Sequence, residues 1–114
     1  FRDQALNVIT DSQVKLEKKG FENARQYYKT RQYKAAIVAL NNFQNNFPDS
    51  EFKEEAAYLV IDAAYRLAEQ SIRSKQAERY KAVVEHYKEF LDTYPESKYL
   101  RDAEKLYAES LGKK

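Results

Sequence analysis

The chain has 114 residues, 43% hydrophobic and 33% charged, with only two glycines, two prolines and no cysteine. So few turn formers exclude a sandwich or barrel, the abundant Ala, Leu, Glu, Lys, Gln and Arg favour helix, and the class is all-α. Twenty basic against eighteen acidic residues leave +2 with the signs mixed, which argues against the concentrated basic face that nucleic-acid binding needs. The absence of cysteine removes disulfides and thiolate chemistry, and leaves the redox compartment open.

In chain order, the first 32 residues carry Leu6, Ile9, Gln13 and Leu16 on one face and then Phe21, Ala24, Tyr27 and Tyr28 beyond Gly20. That pattern fits two helices or one long helix bent at Gly20. One element with a kink or short break is favoured, since a glycine inside a helix costs only about 1 kcal/mol. From Tyr33, the residues Ala36, Ile37, Leu40, Phe43 and Phe47 keep helical spacing until Pro48 stops them. Ser50 can cap the next helix, with Glu51, Glu54 and Glu55 near its positive end. That helix is placed at about 51–72 on Phe52, Ala56, Leu59, Val60, Ala63, Ala64 and Leu67. After a break in 71–76, Ser74 can cap a helix through Tyr94, and a last helix over about 98–111 ends at Gly112. The longest apolar run, Ala56 to Ile61, is far short of the roughly 18 residues of a membrane helix. No signal peptide is visible and Phe1 is not an initiator methionine, so the chain reads as a mature or truncated piece with any targeting segment upstream.

The sequence repeats. A shift of 47 lays Tyr33-Lys34-Ala35 on Tyr80-Lys81-Ala82, and likewise Phe43 on Phe90, Pro48 on Pro95, Ser50 on Ser97, Ala56 on Ala103 and Leu59 on Leu106. A shift of 51 lays residues 1–5 on 52–56. One domain over 1–114 is expected, in units of about 1–47, 48–94 and a partial 95–114.

The stretch before each proline fits the tetratricopeptide consensus, with Ala24, Tyr27, Tyr33, Ala36, Leu40 and Phe43 at its signature positions and Tyr80, Val83, Tyr87 and Phe90 repeating them. A standard unit is about 34 residues, so the first helix of each unit here is lengthened. With the segment from Lys15-Leu16-Glu17 through Phe21-Glu22-Asn23-Ala24 to Tyr27-Tyr28, and the Phe-Pro-Asp-Ser and Tyr-Pro-Glu-Ser helix ends, essentially the whole chain resembles the carboxy-terminal repeats of the BamD family. These are the tetratricopeptide lipoproteins of the bacterial outer-membrane β-barrel assembly machinery. The resemblance implies a right-handed α-solenoid of elongated tetratricopeptide-like pairs, at the periplasmic face of the outer membrane. It implies a non-catalytic scaffold that binds the POTRA domains of the barrel-inserting subunit, with other lipoproteins of the machinery and unfolded outer-membrane proteins as further partners. Contact with the membrane would come only through an upstream lipid anchor. The alternative is another periplasmic repeat adaptor, such as a Tol–Pal accessory protein, which would show standard 34-residue spacing.

No catalytic constellation is legible, and no cofactor or metal is expected. His86, the one histidine, shares a helix face with Arg79, Glu85 and Glu89 and reads as a solvated side chain, because a zinc site needs three or four ligands. Glu54 and Glu55 point to different sides of their helix, and Gly20 and Gly112 stand alone rather than in a phosphate-binding loop. Lys15, Lys18 and Lys19 form a solvated basic face rather than a lipid contact, each lysine being worth only about 1 kcal/mol near an anionic surface.

The tetratricopeptide register places Phe21, Arg25, Tyr28 and Lys29, then Ala68, Ile72, Lys75 and Gln76, on the concave surface, with Tyr65 on the same face. Tyr33, Tyr80, Tyr87 and Tyr107 read as packing residues. Tyr28, adjacent to a core Tyr27, must face another way. Arg25, Tyr28, Lys29, Tyr65, Ile72 and Lys75 are therefore the candidate partner-binding residues, an aromatic and basic groove for an acidic or aromatic segment. The rival reading is that neighbouring repeats simply cover Tyr65 and Ile72.

Overall fold

The computed structural model describes the backbone of residues 2–113 and the side chains of residues 15–113. The match of residues 1–5 onto 52–56, and the Leu6, Ile9 and Gln13 stripe, lie outside the described side chains. Among the described residues five helices follow one another, α1 Arg2–Lys29, α2 Tyr33–Asn46, α3 Lys53–Gln70, α4 Arg73–Thr93 and α5 Leu100–Lys113. Each packs on the next, and α3 also touches α1 and α5. The helices α1, α3 and α5 thus form one layer, while α2 and α4 stand on the other side of α3, as in a tetratricopeptide-like array. The radius of gyration is 16.2 Å, against about 13 Å for a compact domain of this length, as expected where each unit touches only its neighbours.

Helix α1 runs unbroken through Gly20. The glycine serves a close helix crossing instead of a kink: a Cβ there would meet the Phe47 ring at 3.3 Å and the Phe43 ring at 3.4 Å. The helix ends in a Schellman motif, in which Gln32 N–H donates to the Tyr27 carbonyl (2.9 Å) and Arg31 N–H to that of Tyr28 (3.1 Å). Arg31 takes the left-handed position, φ 65°, at a cost of about 1 kcal/mol for a residue with a Cβ.

The repeat is reproduced bond for bond at the two proline turns. Phe47 N–H and Tyr94 N–H close α2 and α4 on the carbonyls of Phe43 and Phe90, at 2.9 and 2.7 Å. The hydroxyls of Ser50 and Ser97 then accept from the N–H groups of Phe52 and Tyr99, both at 3.1 Å. Each serine therefore organises a turn ahead of its helix, which is why α3 and α5 begin at Lys53 and Leu100, two residues later than periodicity predicts. Ser74 makes no cap; α4 starts at Arg73 behind an extended Ile72. Helix α5 continues past Gly112 to Lys113, where nothing packs against the glycine.

Two buried clusters fill the array. The first joins Phe21, Ala24, Tyr33, Ala36, Leu40 and Phe43 to Ala56, Leu59, Val60 and Ala63. The second joins Ile61, Ala64, Tyr65 and Ala68 to Tyr80, Val83, Tyr87, Phe90 and Ala103. Residues 47 apart occupy like sites: Ala36 and Val83, Phe43 and Phe90, and Ala56 and Ala103 are all buried. Ser110 is the exception in polarity. It is fully buried where the preceding unit has Ala63, and its hydroxyl finds no hydrogen-bond partner among the described residues.

Candidate functional site

The layer of α1, α3 and α5 brings tyrosines and charged side chains together at each junction. At the first junction, Tyr28 meets Tyr33 edge to face, with ring centroids 5.8 Å apart at 68°. From α3, Arg66 places its guanidinium 5.9 Å from the Tyr28 ring centre, while its Nε donates to Asp62 Oδ1 at 2.5 Å, one turn earlier. That pairing holds the guanidinium pKa well above its usual value. Burial, helped by the Asp62 charge, raises the hydroxyl of Tyr28 and pushes that of Tyr58 up to about 12.

At the second junction, Tyr65 and Tyr80 meet in the same way, 5.7 Å apart at 63°. From α5, Lys113 sets its ammonium 5.6 Å from the Tyr65 ring centre and 5.4 Å from that of Tyr80. The acid one turn earlier, Glu109, accepts a 2.5 Å hydrogen bond from the Tyr65 hydroxyl. Burial first, then that bond, pushes Tyr65 up to about 12, so it stays a donor at neutral pH. The 47-residue shift carries Tyr33 onto Tyr80, Asp62 onto Glu109 and Arg66 onto Lys113.

Between these junctions Tyr58 stacks on Tyr99, 5.1 Å apart at 13°, and the Tyr99 hydroxyl donates to Glu55 Oε1 at 3.2 Å. The counterpart of Tyr99, Phe52, stacks on Phe21 at 5.0 Å and 8°.

The candidate residues divide on this frame. Arg25 and Lys29 are exposed on the last turns of α1, beside Tyr28. Ile72, 66% exposed, and the exposed Lys75 lie together at the α3–α4 connection. Tyr65 is only 8% exposed, so the neighbouring helix covers it, as the rival reading had it, while Ile72 stays open. Phe21 and Ala68 belong to the core rather than the concave surface. The expected roles of Tyr27 and Tyr28 are exchanged. Tyr27 is 41% exposed and Tyr28 is half-buried against the first cluster, because the stripe of the straight α1 that faces its neighbours runs Phe21, Ala24, Tyr28.

His86 is also half-buried rather than solvated. It lines a cleft of about 170 Å³ between α2, α3 and α4, with Asn41, Gln44, Lys53 and Glu89, and burial lowers its pKa against the raising effect of Glu89 and Glu85. Periodicity alone missed this cleft, since His86 faces α2 residues more than forty positions upstream. It also missed the two acid–base pairs, although the 47-residue shift aligns them.

Among the described residues no group of three or more His, Cys, Asp or Glu side chains could hold a metal ion, and no helix is long and apolar enough to cross a membrane. What the fold presents is a preformed helical surface rich in tyrosine and charge, the architecture of a tetratricopeptide-like binding module. The family model described as outer membrane lipoprotein, YfiO, matches residues 8–109. The chain belongs to that family of outer membrane lipoproteins. A comparison with curated proteins finds no match.

Proposed function

We propose that the chain is a non-catalytic scaffold of the outer-membrane β-barrel assembly machinery, working at the periplasmic face of the outer membrane and docking the POTRA domains of the barrel-inserting subunit. The observation that carries this reading is the family match across residues 8–109, together with the lengthened repeats that resemble BamD. The fold supports a scaffold in physical terms, because a stacked helical array offers its surface already ordered and so loses little conformational entropy on binding. Arg25, Lys29 and the open edge of Tyr28 form one part of the proposed partner surface, and Ile72 with Lys75 another. Tyr65, covered by α5 and only 8% exposed, lies outside this POTRA-facing surface.

The test is calorimetry of the purified chain with isolated POTRA domains of the barrel-inserting subunit. Saturable binding, weakened at least about tenfold by the double change Arg25→Glu and Lys29→Glu at unchanged melting temperature, is the expected result, since rim charges steer association without holding the fold. No binding by the unaltered chain would overturn the reading.

A further inference from the structure

The acid–base pairs at the two junctions occupy the same repeat positions but are spent differently. At the first, the carboxylate of Asp62 holds Arg66 directly, and the guanidinium is locked over its tyrosine. At the second, Glu109 is engaged by the Tyr65 hydroxyl, and the Lys113 ammonium lies at two rings and their hydroxyls, with no carboxylate among the described residues paired to it directly, on a side chain exposed to solvent. A cavity of about 540 Å³ borders it, lined by Glu69, Arg73, Gln76, Ala77, Tyr80 and Lys113. The charged groups around the rings are thus Glu69 and Glu109 against Arg73 and Lys113. Displacing Lys113 leaves two carboxylates facing one guanidinium, a net negative charge beside two aromatic rings.

We propose that Tyr65, Tyr80, Glu69 and Glu109 form an exchangeable cation site, in which Lys113 is an internal stand-in for a lysine or arginine side chain presented by a partner protein. Two tyrosine faces with flanking carboxylates are the chemistry that selects an ammonium or guanidinium over a neutral side chain. The exposed four-carbon stem of Lys113 lets it swing out, whereas the ion-paired Arg66 stays put. The site does not depend on the POTRA reading, because any partner with a protruding basic side chain satisfies it.

The experiment is an aromatic NMR titration of the isotope-labelled chain with N-acetyl-lysine methylamide, using N-acetyl-norleucine methylamide as the neutral control. The ring signals of Tyr65 and Tyr80 should move with the lysine probe and not with the control. Removing the tethered competitor in Lys113→Ala should lower the midpoint at least about tenfold, the gain expected when an intramolecular ligand is deleted. Glu109→Gln should raise the midpoint, and Lys113→Gln, which keeps the helix-compatible stem, should behave like Lys113→Ala. Ring signals that ignore the lysine probe, or a midpoint unchanged in both Lys113 variants, would overturn the proposal and leave Lys113 as a fixed strut.

Discussion

The two junctions are built on one plan and held in different ways. Each places a tyrosine of α2 or α4, Tyr33 or Tyr80, edge to face with a second tyrosine, and each brings a cation from the following helix over that second ring. At the first, the cation is ion-paired one turn back along α3. At the second, the carboxylate accepts from a tyrosine hydroxyl, and the cation lies against the two rings and their hydroxyls. The second tyrosine is what differs: Tyr28 sits in the last turn of α1, while Tyr65 lies well inside α3 and reaches Glu109. Moving one aromatic along the repeat changes what the carboxylate engages without changing the pair that the repeat supplies.

The largest perturbation tests whether the junctions stand or fall together. Ala36→Arg drives an unpaired charge into a fully buried site and should cost about 3–5 kcal/mol. Loss of the cooperative thermal transition by circular dichroism is expected. If hydrogen exchange still protects α4 and α5, the second junction holds without the first.

Next comes the direct comparison of the cations. Arg66→Ala should lower stability by about 1 kcal/mol or less, because the Arg66 side chain is 48% exposed and its ion pair is screened. Lys113→Ala should leave the melting temperature essentially unchanged. Equal losses in denaturant titrations would erase the distinction between the two.

Ser110→Ala sharpens the contrast from the opposite direction. Relieving the unpaired buried hydroxyl and restoring the alanine of the preceding unit should add about 1 kcal/mol. The smallest effect is one of pH. The folded chain binds a proton at His86 less readily than the unfolded chain does, so its contribution is complete above pH 6.5 and is lost as pH falls toward the folded value. His86→Ala, which installs the residue found at Ala39 one unit earlier, should flatten that acid limb in urea denaturation.

Helix class, the repeat and the core stripe of α2 were readable from spacing, because an i, i+3, i+4 pattern repeated at a fixed shift has one physical solution. Helix starts were readable only to within a turn: Ser50 and Ser97 hold a preliminary turn that the apolar pattern does not encode. The exchange of Tyr27 for Tyr28 has a different origin. The consensus register assumes a short first helix, whereas the 28-residue α1 takes its rotation from the Gly20 crossing with Phe43 and Phe47. Of the candidate surface, Arg25, Lys29, Ile72 and Lys75 are exposed as a partner site requires. Tyr65 is covered because its cover, α5, lies more than thirty residues away in sequence, beyond the reach of any single-helix pattern.

The neighbour-only packing of the helices bears on how the chain acquires its structure. Each helix closes on the one before it or on the one two places back, so every contact joins segments near each other along the chain and little loop entropy is lost before a contact forms. A helix pair can therefore serve as a nucleus onto which the rest is added in sequence order. That order follows emergence from a translocation pore or ribosome, with the earlier unit offering its finished flank as the template for the next.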